Sequence, residues 1–168
     1  MYIVLLNLTW NNPIKMITIN QISPIDGRYS KSTKDLSIFF SEASLIRYRI
    51  KIEIYYFIEL CKVIPNLKKI KKTKLKEVEK IYLNISEKDI LKVKKIEKKI
   101  NHDVKAVEYF IKEKIDEIGL KNYVEFIHFG LTSQDINNTA SPLLFKDSLE
   151  TKIYPLLNSL IKKLDELV

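Results

Sequence analysis

The chain has 168 residues, of which 46% are hydrophobic and 30% charged, an ordinary globular composition with room for one domain or one domain and the start of a second. No apolar run approaches the roughly 18 residues of a membrane helix, and the apolar opening at Met1 lacks a basic leader and a small-residue cleavage site, so membrane and secretory classes are set aside and a cytoplasmic chain is expected. The net charge of +8 rests on 26 lysines against 3 arginines, and the densest run, Lys68 to Lys76, has no interleaved aromatic residue, so it reads as a solvated face and no nucleic-acid partner is expected. In chain order, Ser23-Pro-Ile-Asp-Gly-Arg28-Tyr29 is turn chemistry. Apolar positions from Leu45 to Leu60, spaced near 3.6 residues, then predict a helix over 41–64 that Pro65 closes. Cys61 falls in that helix, can close no intrachain disulfide, and reads as a buried, inert thiol.

A short helix follows over 74–83, and Ser86 with Asp89 three residues on forms a variant capping box that opens the next. Its apolar series Ile90, Val93, Ile96 and Ile100 is broken by Asn101-His102-Asp103, residues that favour caps and turns. A helical face restarts at Val104 and ends near Gly119, a natural left-handed cap. Residues 123–130 read as an extended or tightly turned connector. Thr132 and Asp135 repeat the capping pattern, and Ile136 to Leu164 predict one helix of more than 30 residues running to the end, with Pro142 expected to kink it and Pro155 able to do the same. The fold class is therefore all-α: an N-terminal helical domain followed by the start of a long-helix bundle.

Three polar clusters interrupt the helical pattern. At the first, Arg28 with Tyr29 either grips a phosphate or stands solvated on a surface turn. At the second, His102 between Asn101 and Asp103 either bonds an anion or orients a catalytic group, or belongs to a plain helix cap. At the third, His128, Thr132 and Ser133 sit at the mouth of the long helix, whose free N–H groups and partial positive charge favour a carboxylate or phosphate; ordinary capping by Thr132 or Ser133 is the alternative.

Taken together, Ser-Pro-Ile-Asp-Gly-Arg28-Tyr29, Asn101-His-Asp-Val-Lys-Ala-Val-Glu-Tyr-Phe110 and Glu125-Phe-Ile-His-Phe-Gly-Leu-Thr-Ser-Gln-Asp-Ile-Asn-Asn138 resemble, in order and spacing, segments of the adenylosuccinate lyases of the longer bacterial type. The resemblance runs from about Ile22 to Val168 and corresponds to the first third of that family's chain. It implies β-elimination of fumarate from adenylosuccinate, and from a succinyl-carboxamide ribotide, by general acid and base without metal or organic cofactor. It implies that Arg28 and Tyr29 hold the phosphate side of a purine nucleotide, that Asn101, His102 and Asp103 line its pocket, that Thr132 and Ser133 bind the succinyl carboxylate, and that His128 supports the pocket. The family's acid, a His in a Thr-His-Gly-Gln segment, and its base, a Ser on a Gly-Ser-Ser-x-Met-Pro-x-Lys loop, have no counterpart here, so the polypeptide alone is expected to be inactive. The family is a homotetramer around a central bundle, which divides this chain into 16–130, an N-terminal helical domain, and 131–168, the first bundle helix. Residues 1–15 match nothing in the family and suggest a start at Met16. A catalytically inactive helical remnant or binding module is the alternative.

Overall fold

The computed structural model describes residues 22–167, so the expectations for residues 1–15 and for a start at Met16 lie outside them. Two compact units divide at Asp35 and Leu36. In the first, Ser23 to Thr33 form a series of nested turns: the Asp26 N–H donates to the Ser23 carbonyl (3.0 Å) and the Tyr29 N–H to that of Pro24 (3.0 Å). The Ser23 hydroxyl accepts from the Ile25 N–H at 3.2 Å, as expected where a proline fixes one turn dihedral and a short polar side chain replaces a backbone partner.

The second unit is helical in every regular element among its described residues. In order it contains α1 (Ser37–Phe40), α2 (Glu42–Val63), α3 (Lys72–Leu83), α4 (Glu87–Ile100), α5 (Asp103–Glu117), α6 (Ser133–Ser148) and α7 (Tyr154–Asp165), with a 3₁₀ turn over Lys121–Phe126 and a π turn over Leu149–Ile153. The α2 helix is its axis, packing on α3, α4 and α5 and also on α6. Ile46, Ile50, Ile54, Phe57 and Cys61 recur at three- and four-residue steps and are buried against Val78, Val93, Val107, Phe110, Ile111 and Ile115. Burial of a side chain such as Phe57 contributes about 1.5–3 kcal/mol. Cys61 is buried as expected, and burial pushes its thiol up to about 11, away from thiolate chemistry.

Local chemistry sets the helix ends. The Ser41 hydroxyl accepts from the Ser44 N–H at 3.2 Å and starts α2. Ser86 and Asp89 form the full capping box of α4, with the Ser86 N–H donating to Asp89 Oδ2 at 3.0 Å. Asn101 ends α4 in the left-handed region (φ 52°), and Gly119 (φ 78°) follows α5 where the sequence placed a left-handed cap. The short helix before Ser86 begins two residues earlier than its apolar pattern, at Lys72, and the 123–130 connector is tightly turned.

The long terminal helix continues through Pro142, and an irregular turn falls over Leu149–Ile153, just ahead of Pro155. A proline ring collides with the carbonyl four residues back, here Thr151, and a wider i to i+5 turn opens that spacing. The Thr151 hydroxyl adds to the local adjustment by donating to the Asp147 carbonyl at 2.6 Å. Beyond this point no described residue of α7 is buried: Leu156, Leu157, Leu160, Ile161 and Leu164 all face outward. No helix among the described residues is long and apolar enough to cross a membrane.

Candidate functional site

The site begins with a feature that the apolar periodicity conceals. Along the flank of its core stripe, α2 carries Arg49, Glu53 and Tyr56 at steps of four and three residues, a second stripe made of polar groups. Charged residues are almost never fully buried unless paired, yet Arg49 is 7% exposed and Glu53 is 0% exposed. Each therefore has a partner, and the partners come from the sequence clusters.

Arg49 spans two of them. Its Nη2 lies 2.7 Å from Asp103 Oδ2 and its Nε donates to Asn137 Oδ1 at 2.9 Å, so one guanidinium ties the first residue of α5 to the first turns of α6. Partial burial works against the Asp103 carboxylate, but the Val104 N–H and then Arg49 outweigh it and hold that carboxyl below its usual range. One turn further along α2, Glu53 Oε1 lies 2.5 Å from His128 Nδ1, and the Tyr56 hydroxyl donates to the Phe129 carbonyl at 2.8 Å. Burial raises the Glu53 carboxyl above its ordinary value, opposed by the bond to His128 and reinforced by the neighbouring Glu108 charge. At the other end, the Tyr48 hydroxyl donates to Asp147 at 2.8 Å and fixes α6 along its length. One side of α2 thus gathers the start of α5, the connector at His128 and the start of α6.

Within that frame each expected residue has a definite place. His102 is the N-cap of α5, with Nδ1 accepting from the Lys105 N–H at 3.1 Å, so the imidazole itself caps the helix and its ring proton sits on Nε2. Asn101 precedes it, exposed and left-handed. At α6, Asp135 Oδ2 accepts both from the Thr132 N–H (2.7 Å) and from the Thr132 hydroxyl (2.8 Å). The Thr132 hydroxyl is thus committed to a carboxylate of its own chain, whereas the half-buried Ser133 hydroxyl has no hydrogen-bond partner among the described residues. The only non-glycine residues with left-handed φ among the described residues are Asn101 and His128 (φ 62°), both in the expected site. Arg28 and Tyr29 lie in the first unit, where the guanidinium stacks 5.7 Å from the Tyr29 ring centroid.

Sequence reasoning missed Arg49, Glu53, Tyr56 and Asn137. The available signal was a pair of opposite charges four residues apart, Arg49 and Glu53, within the isoleucine-rich stretch from Ile46 to Ile54 that also carries Arg47 and Lys51. No group of three His, Cys, Asp or Glu side chains among the described residues is arranged to hold a metal ion. A hollow of about 600 Å³ lies elsewhere, lined by Phe39, Phe40, Leu45, Leu144 and Phe145 with Glu42 as its only charged wall, and it contains none of the cluster residues.

Comparison with known proteins assigns this geometry to a family. Residues 27–167 match the family model described as "Lyase". The adenylosuccinate lyase of Dictyostelium discoideum is 51% identical over 88% of the chain and 33% of its own length. That of Legionella pneumophila strain Corby is 43% identical over 83% and 31%, and that of Escherichia coli K12 is 36% identical over 92% and 34%. The chain spans about a third of the length of these relatives. By the extent of that match, which takes in Arg28 and Tyr29 and the whole of the other two polar clusters, the chain belongs to the lyase family.

Proposed function

We propose that this chain supplies part of the substrate pocket of an adenylosuccinate lyase. The reaction removes a proton from the carbon beside a succinyl carboxylate, breaks the adjacent C–N bond, and returns a proton to the departing nitrogen, giving fumarate and AMP, or fumarate and a carboxamide ribotide. Its intermediate accumulates negative charge, so oriented donors beside it lower the barrier. The observation that carries the reading is the Arg49 clamp: two segments that match the relatives in sequence are drawn together by one buried guanidinium. In this reading Ser133, with its uncommitted hydroxyl and the free N–H groups of the α6 terminus, receives a succinyl carboxylate, and Thr132 joins it when Asp135 releases its hydroxyl. Asn101, His102 and Asp103 line the nucleotide side, Arg28 and Tyr29 hold the phosphate, and His128 braces the pocket. No metal or cofactor takes part.

The proposal extends to assembly and location. Residues 131–168 form the first helix of a central bundle, the partners are further copies in a cytoplasmic homotetramer, and the acid and base come from segments other than this one. The bare apolar stripe of α7 supports the bundle reading. It equally favours a second reading, in which the 168-residue polypeptide is a catalytically inactive remnant retained for association.

A chimera separates the two. Joined in frame to the remaining two-thirds of the Dictyostelium relative, the chain is expected to release fumarate from adenylosuccinate, and Ser133→Ala should lower that rate by about tenfold to a hundredfold. The 168-residue chain alone should release none. A chimera that folds and assembles but yields no fumarate, beside an active parent, would leave only the association reading.

A further inference from the structure

We infer that Glu53 is the positioning residue of this site: its buried carboxylate holds the proton of the His128 ring on Nδ1 and leaves Nε2, on the accessible edge, as the free acceptor. Any part this plays in elimination rests on the lyase reading above, but the ring state itself does not. Glu53 is wholly inaccessible, its Oε1 lies 2.5 Å from His128 Nδ1, and its Oε2 has no partner among the described residues. A buried carboxylate with an unbonded oxygen is destabilising, and Glu53 is buried on the same helix as Ile50, Ile54 and Phe57, where an apolar side chain would serve packing better. Among the described residues, the one side chain it bonds is His128.

The backbone around His128 is held from the same helix. His128 stands at φ 62°, a conformation that a non-glycine residue keeps only when its surroundings over-determine it, and Tyr56, three residues beyond Glu53, pins the next carbonyl. Two adjacent α2 side chains therefore fix both the ring and the main chain. The His128 side chain retains 16% exposure, and with Nδ1 against Glu53 the accessible edge is the one bearing Nε2. His128 also stands near enough to the mouth of α6 to act on Asp135, which is held below its usual range first by Thr132 and, in smaller part, by His128. A fixed tautomer there offers a substrate an acceptor of constant direction, which a freely turning imidazole would not.

The chain contains two histidines, and the structure assigns them opposite ring states, because His102 Nδ1 accepts a backbone N–H while His128 Nδ1 faces a carboxylate. The test is nitrogen NMR of the full chain labelled in its histidines. For the neutral rings, His128 is expected to carry its proton on Nδ1 in at least about tenfold excess, and His102 on Nε2. Glu53→Met should turn His128 to the Nε2-protonated form and leave His102 unchanged. The inference is overturned if His128 in the unaltered chain is protonated on Nε2, or if a folded Glu53→Met variant keeps the proton on Nδ1. Should Glu53→Met fail to fold, Glu53→Gln replaces it: a neutral amide is the weaker acceptor, so the excess must fall, and an unchanged ratio counts against the inference. A correct ring state beside a silent chimera sinks the lyase reading alone, and a wrong ring state in an active chimera sinks this one alone.

Discussion

The α2 and α7 helices have similar apolar patterns and opposite fates. In α2 the stripe from Ile46 to Cys61 is covered by three neighbouring helices, and the flank beside it is covered as well, through the bonds of Arg49, Glu53 and Tyr56. In α7 the leucines at 156, 157, 160 and 164 have the same spacing and no cover. Periodicity reports that a helix has an apolar side, while the identity of what covers it is set elsewhere. What distinguishes the two in sequence is the polar residue type: α2 carries opposite charges among its isoleucines, which can be buried only as partners, whereas the polar face of α7 is lysine, serine and asparagine that water satisfies.

The contrast can be broken at several points. Phe57→Ala, at the centre of the covered stripe, should destabilise the chain by about 3–5 kcal/mol in denaturant unfolding; a loss like that of a surface site would mean that the stripe is not the core. Arg49→Met leaves Asp103 and Asn137 without their common donor, and about 1–3 kcal/mol should be lost. In a double-mutant cycle much of that loss should disappear when Asp103→Asn is already present. Additive effects would show that the guanidinium joins nothing.

A smaller effect is expected at Glu53, and its sign is fixed. The carboxyl is raised in the folded chain, so the unfolded chain gives up this proton at lower pH, and stability falls as pH climbs from the ordinary carboxylate range through the folded value. The stability of Glu53→Gln relative to the parent should therefore improve with rising pH over that interval. A difference that is flat, or that worsens, would contradict the raised carboxyl. Smallest of all, Leu160→Lys on the bare stripe should alter unfolding by no more than about 0.5 kcal/mol while reducing self-association in sedimentation. A large loss of stability there would erase the difference between the two helices.

Much of the architecture was legible because local chemistry and tertiary packing agree. The Ser86 cap, the Asn101 break and the Gly119 stop all lie where residue type alone placed them. Pro155 marked a second point of strain in the long helix, and the π turn falls just ahead of it, while the helical run passes through Pro142. The clusters around His102, His128 and Ser133 were visible as interruptions. The elements that hold them were not, because Arg49 and Glu53 lie inside an unbroken helix and their partners are 54 and more residues away in the chain, a pairing that no local pattern encodes. His102 was read as either cap or ligand, and the geometry makes its ring the cap while leaving Nε2 outward.

The π turn over Leu149–Ile153 has a rotational consequence. A π turn takes up about one residue more than an α turn, so residue numbering beyond it falls about 100° out of step with numbering before it. The every-fourth-residue row of Ile136, Ala140, Leu144 and Ser148 therefore cannot be extended into α7 by counting. The first half of the rod packs on α2, while the leucines of the second stand exposed. Removing a single residue at the turn, with Pro155 replaced, would restore an unbroken α-helix and leave the outer leucines on the side they occupy now.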